Sequence, residues 1–121
     1  MNKTKNTGKN RKRRFTADLH IKKNFVHACL SKDLRKQLKR RSLGLRKNDT
    51  VKIMVGKHKK KTAKVNKIDL KKERIYLQGL NLKKADGKEK LLGFEPSNLM
   101  IIEIGDNDAL RIKTKKEGNK K

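Results

Sequence analysis

The sequence predicts a mainly β protein: a small five-stranded barrel over residues 45–104, a basic and partly helical extension over 1–44, and a disordered basic tail over 105–121. Three observations carry that expectation. Short runs of alternating apolar and polar residues recur at turn spacing through the middle of the chain, the pattern of a small barrel. The formal net charge is +25 over 121 residues, from 37 Lys and Arg against 12 Asp and Glu. Hydrophobic residues are 32% and charged residues 40%, near the limit below which a chain buries too little apolar surface to fold throughout. A small core is therefore expected, with flanking segments ordered by a partner.

Charge divides the chain into zones. Residues 1–46 carry sixteen basic and two acidic side chains, residues 47–104 fifteen and seven, and residues 105–121 six and three. Asn2 to Arg14 holds seven basic residues and no large apolar side chain, the composition of a disordered arm that folds on a partner. Asp18 is placed to cap a short helix bearing Leu19, Ile21, Phe25 and Val26. Ser31 is placed to cap a second, on which Leu30, Leu34 and Leu38 form an apolar stripe, with Gly44 as its stop.

Strands follow. Val51, Ile53 and Val55 alternate with Lys52 and Met54, giving one buried and one wet face. Val65 and Ile68 break the period of two, which predicts a bulge. In Arg74 to Leu80, Ile75 and Leu77 share a face opposite Tyr76. Asp86-Gly87 is a two-residue hairpin signal. Leu99 to Ile104, bounded by Pro96 and Gly105, reads as a buried closing strand.

Between the first two strands lies Gly56-Lys-His-Lys-Lys-Lys61. Like charges packed at a hairpin tip repel one another and gain nothing from burial, so the tip points to a polyanionic partner. With no Trp and no apolar run long enough to span a bilayer, membrane insertion is not expected. Nor does an apolar stretch follow the basic N-terminus as in a secretory signal. Cys29 is the single cysteine, so no internal disulfide forms, and a reducing setting fits.

No enzyme chemistry is indicated. His27 and Cys29 have no orienting acid, and His20, His27 and His58 match no familiar ligand spacing. Asp86 and Glu89 are turn residues, and Gly56 to Lys61 lacks the second Gly and the Ser or Thr of a P-loop. Neither a cofactor nor a metal is expected.

Asp49-Thr-Val51-Lys-Ile53-Met-Val55-Gly56, a basic loop and then Lys64-Val65 resemble the KOW motif, a strand-loop-strand unit of SH3-like barrels. The flanks narrow the resemblance: Asn10-Arg-Lys-Arg-Arg-Phe15, Leu19-His20-Ile21, Leu30-Ser-Lys-Asp-Leu-Arg35, Arg41-Ser42, Arg46-Lys47-Asn48-Asp49, and Phe94-Glu-Pro96-Ser97-Asn98 before Leu99-Met-Ile-Ile102. Together they resemble the universal large-subunit ribosomal protein twenty-four family, in its archaeal and eukaryotic branch, over about residues 10–104. Lys60 and Ala63 stand where the motif has glycine, Asn48 where Gly or Asp is usual, and Leu30 where Pro is common.

The resemblance implies a structural constituent of the cytoplasmic large ribosomal subunit, bound to large-subunit rRNA near its 5′ end, active early in assembly and close to the polypeptide tunnel exit. Its partners would be that rRNA, neighbouring large-subunit proteins and factors docking at the exit, without homo-oligomerisation. Carried onto this chain, the rRNA-binding residues are Lys9, Arg11, Lys12, Arg13, Arg14, His20, Lys22, Lys23, Arg35, Lys39, Arg40, Arg41, Gly56, Lys57, His58, Lys59, Lys60, Lys61 and Lys64. Independently of the family, Lys and Arg along an arm and a loop, with one Tyr in the chain, suit phosphate and shape recognition better than base stacking. The alternative is a KOW-type transcription elongation module binding RNA polymerase and nascent RNA, whose usual preceding α/β domain does not fit in forty-odd basic residues. A third reading is a coat for anionic membranes or the nucleoid, which needs no barrel.

Overall fold

The structure, a computed structural model, describes residues 4–105 and 109–112. It is mainly β. Seven strands, β1 (His27–Leu30), β2 (Ser42–Gly44), β3 (Thr50–Ile53), β4 (Thr62–Asp69), β5 (Arg74–Lys83), β6 (Glu89–Phe94) and β7 (Leu99–Glu103), form one open mixed sheet in the order β2-β1-β7-β3-β4-β5-β6. Only β1 and β7 run parallel. The helices are α1 (Thr7–Thr16), α2 (Leu19–Lys22), α3 (Lys32–Leu38) and α4 (Ala109–Ile112), with 3-10 turns at Lys23–Phe25 and Pro96–Asn98.

A five-stranded barrel was expected; β3 to β7 supply five strands, but as part of one open seven-stranded sheet. The two additional ones come from the extension, where the sequence suggested helix. His27 to Leu30 follows a period of two: Val26, Ala28 and Leu30 are buried while Cys29 is half-buried and His27 exposed. Leu30 thus belongs to a strand face and not to a helical stripe, and Cys29 sits on that strand with its Sγ 3.6 Å from the Leu99 carbonyl oxygen. Ser31 does cap α3, its hydroxyl accepting from the Leu34 N–H at 3.5 Å. The helix stops at Lys39, left-handed at φ 51°, while Gly44 lies in β2. The expected disordered arm is helical from Thr7, because Asn6 caps it through Oδ1 to the N–H groups of Gly8 (3.0 Å) and Lys9 (3.3 Å). No residue of α1 is buried, and Asn2 and Lys3 fall outside the described residues.

The core lies where alternating strands converge. Val51, Ile53, Val65, Ile75, Leu77, Leu99 and Ile101 are fully buried, and Leu30 of β1 joins them. β4 serves both halves of the sheet: Thr62 to Lys64 pair with β3, then the register shifts between Val65 and Lys67 and the strand continues along β5. That is the expected bulge, and it bends the strand. β5 is irregular again between Tyr76 and Asn81, with Gly79 at φ 77°, so the far end of the β5–β6 hairpin stands clear of the core. Its turn is three residues long, not two. Lys84 and Lys88 close it at 2.8 Å, and Gly87 takes the left-handed position at φ 83°.

Candidate nucleic-acid interface

The basic loop joining β3 to β4 is built on backbone bonds. Ile53 N–H donates to the Lys61 carbonyl at 2.9 Å, Lys60 N–H donates to the Ile53 carbonyl at 2.8 Å, and two successive turns close at Lys59 to Gly56 and Lys61 to His58, each 3.1 Å. Lys60 adopts φ 72°, a left-handed conformation that costs a lysine about 1–2 kcal/mol. Ala63 needs no such path, being an ordinary β4 residue opposite Val51. Asn48 also stands at φ 70°, which asparagine tolerates better than most residues. The loop is tied to the segment before β7, since Met54 N–H donates to the Asn98 carbonyl at 2.8 Å and the His58 ring meets Phe94 edge-on, centroids 6.1 Å apart.

The arm reaches the same segment from another side. Lys9, Arg11, Lys12, Arg13 and Arg14 all lie on α1. Arg14 donates from Nε at 2.7 Å and from Nη2 to the Glu73 carboxylate, and its guanidinium lies 5.1 Å from the Phe25 ring centroid. The hydrogen bond and charge of Glu73 raise the Arg14 pKa further above its ordinary value. Beside them Arg74 pairs with Glu95 at 3.1 Å. These groups ring a cavity of about 400 Å³ that Pro96 and Ser97 also border.

His27 links that cavity to a second, of about 380 Å³, lined by Lys23, Arg40, Arg46, Leu70 and Arg111. Partial desolvation of the ring at the cavity wall, with the positive charge of Lys23, lowers the His27 pKa. Lys22 is on α2, its Nζ 3.4 Å from the Lys71 carbonyl, and His20 is on the same helix. Arg35 of α3 donates to the Leu30 carbonyl at 2.9 Å, while Lys39, Arg40 and Arg41 occupy the turn from α3 to β2. The expected residues therefore form linked neighbourhoods: the loop, the segment Phe94–Asn98, the end of α1, then Lys23 and Arg40. Lys64 lies in β4 opposite Thr50 and is exposed.

Sequence reasoning missed the group that fixes the far end of the series. Arg111, expected in a disordered tail, is buried. It donates to both oxygens of the fully buried Asp49 carboxylate, at 2.9 Å to Oδ1, and to the Gly44 carbonyl from Nη2 at 2.8 Å and Nε at 3.1 Å. Asp49 also accepts from the N–H groups of Arg46 (2.9 Å) and Gly105 (3.1 Å). Only glycine fits at 105, where a Cβ would meet the Asn48 carbonyl oxygen at 2.3 Å. The rest of the expected tail, 106–108 and 113–121, lies outside the described residues. Glu73, Arg74 and Glu95 were missed as well, although acids are scarce enough in this chain for their positions to have been a signal.

Comparison with known proteins is consistent over nearly the whole chain. A family model that describes the eukaryotic ribosomal proteins L26 and their archaeal L24 counterparts matches residues 4–116. The chain is 41% identical over 110 residues to the large ribosomal subunit protein uL24 of Methanothrix thermoacetophila, covering 91% of this chain and 95% of the relative. Against the proteins of the same name from Pyrobaculum islandicum and Methanospirillum hungatei it is 42% identical over 99 residues (82% and 80% covered) and 39% over 103 residues (85% and 86%).

Proposed function

We propose, from the premise that the chain belongs to the family of ribosomal proteins called L26 in eukaryotes and L24 in archaea, that it is an rRNA-binding structural protein of the large subunit and acts by charge neutralisation. It is a non-enzymatic protein of the cytoplasmic ribosome. The observation that carries the RNA reading is the succession of cationic elements around Phe94–Asn98, in a chain of net charge +25. Strands β3 to β7 act as an SH3-like KOW unit over 45–104, with 1–44 as an extension laid along RNA. The carried-over residues, from Lys9 on α1 to Lys61 in the loop, face phosphates of the rRNA near its 5′ end. Neutralising those phosphates lets RNA segments approach one another early in assembly, and the site lies near the tunnel exit.

The basic loop between β3 and β4 provides the test. Lys57, Lys59 and Lys61 are each replaced by Gln, and binding to a 5′-region fragment of large-subunit rRNA is measured across a salt series. The expected result is weaker binding and a salt slope lower by about 0.7–0.9 for each phosphate that is no longer neutralised. Unchanged affinity and slope would remove the loop from the interface.

A further inference from the structure

The cavity beneath the end of α1 differs from the rest of the interface in mixing acidic with basic groups. Two carboxylates, Glu73 and Glu95, border it beside Arg14, Lys72 and Arg74. A phosphate entering it would meet both carboxylates. The walls also include a flat surface, the half-buried Phe25 ring, over which the Arg14 guanidinium lies 5.1 Å from the centroid. Flat aromatic and guanidinium surfaces are what splayed-out RNA bases stack on. Its volume of about 400 Å³ falls within the roughly 300–1,000 Å³ of small-ligand pockets.

The polar groups narrow the ligand. Both Arg14 bonds go to one oxygen of Glu73, Oε2. A carboxylate has about four lone-pair sites, so Glu73 retains acceptor capacity beyond that pair. Arg74 uses Nη1 on Glu95 Oε1, which leaves donors and acceptor capacity on that pair too. The site therefore offers carboxylate acceptors next to guanidinium donors. Guanine matches both, with N1–H and the N2 amine as donors and O6 and N7 as acceptors. Glu73 is also the one acidic residue among the described residues with a left-handed backbone, φ 53°. Side-chain-bearing residues held in such conformations cluster at binding sites.

We propose that this cavity binds a single unpaired guanine of RNA, reading one base where the rest of the interface reads phosphate and shape. The proposal rests on the RNA-binding reading above. Its test uses the full chain and the five-nucleotide RNAs UUGUU, UUAUU, UUCUU and UUUUU, with binding followed by fluorescence anisotropy at one fixed salt concentration. UUGUU is expected to bind about tenfold tighter than the others, as one good base contact confers, and inosine at the centre, lacking the N2 amine, to fall between. Glu73→Gln and Glu95→Gln should each bring the four RNAs closer together, whatever they do to affinity in general. Glu95→Gln leaves the Arg14–Glu73 tie in place, so its effect cannot come from releasing α1. Equal binding of all four RNAs, falling with salt, would overturn the base pocket and leave the rRNA reading intact. A guanine preference that survives both substitutions would overturn the assignment to this cavity. Failure of every oligonucleotide and of the rRNA fragment to bind would overturn both.

Discussion

The two ends of the described chain are attached to the sheet by the same chemistry in opposite surroundings. At the N-terminal end Arg14 pairs with Glu73, with side chains 57% and 16% exposed; at the C-terminal end Arg111 pairs with Asp49, at 4% and 0%. An exposed pair is screened and contributes about 0–1 kcal/mol. A buried pair gains little over apolar residues, but removing one partner strands the other charge and costs about 3–5 kcal/mol. The chain thus docks its C-terminal turn as part of the fold and lays its N-terminal helix on the surface, where a polyanion can compete for it.

The largest effect expected from that contrast is at Arg111. Arg111→Ala should lower stability by about 3–5 kcal/mol, seen as a fall in Tm of roughly 10 °C or more, because Asp49 has no access to water. Glu73→Gln should cost less than about 1 kcal/mol; its signature is faster amide exchange confined to α1, and exchange that also rises in β3 and β7 would refute the division. Raising salt from 0.1 to 1 M, which shortens the Debye length from about 10 to 3 Å, should reproduce the Glu73→Gln pattern in the wild-type chain.

Smaller effects probe the region between the two ends. Lys60→Gly relieves about 1–2 kcal/mol of left-handed strain against about 0.5–1 kcal/mol of added chain entropy. A net gain of about 0–1.5 kcal/mol in chemical denaturation is expected, and a decrease would show that the lysine side chain offsets its own strain. The smallest effect is at His27, whose folded-state pKa lies below its ordinary 6.5. The unfolded chain then binds the proton more readily, so the stability His27 contributes is present above about pH 6.5 and is lost as pH falls toward the folded value. His27→Asn should flatten that part of the pH profile.

The same contrast explains how much was legible in the sequence. Strands β3, β5 and β7 were readable because one face is buried and the other wet, so period two is written into Val51 and Ile53, Ile75 and Leu77, Leu99 and Ile101. The bulge in β4 showed as a break in that period. β1 was not readable: four residues, His27–Leu30, give too little alternation to outweigh the chance spacing of Leu30, Leu34 and Leu38. The Arg111–Asp49 lock joins residues 62 positions apart, and nothing local distinguishes Arg111 from its basic neighbours. Basic residues of the site were visible as composition; the scarce acids Glu73 and Glu95 were visible as exceptions to it, but their pairing with Arg14 and Arg74 comes only from tertiary contacts.

The proposed function makes this chain a bound constituent of the large ribosomal subunit. The direct measurement is sedimentation of a cell lysate through a density gradient in high salt, with the chain quantified across the fractions. Stoichiometric co-migration with the large subunit, retained at high salt, is the predicted result. Migration with RNA polymerase, or release to the top of the gradient, would contradict it.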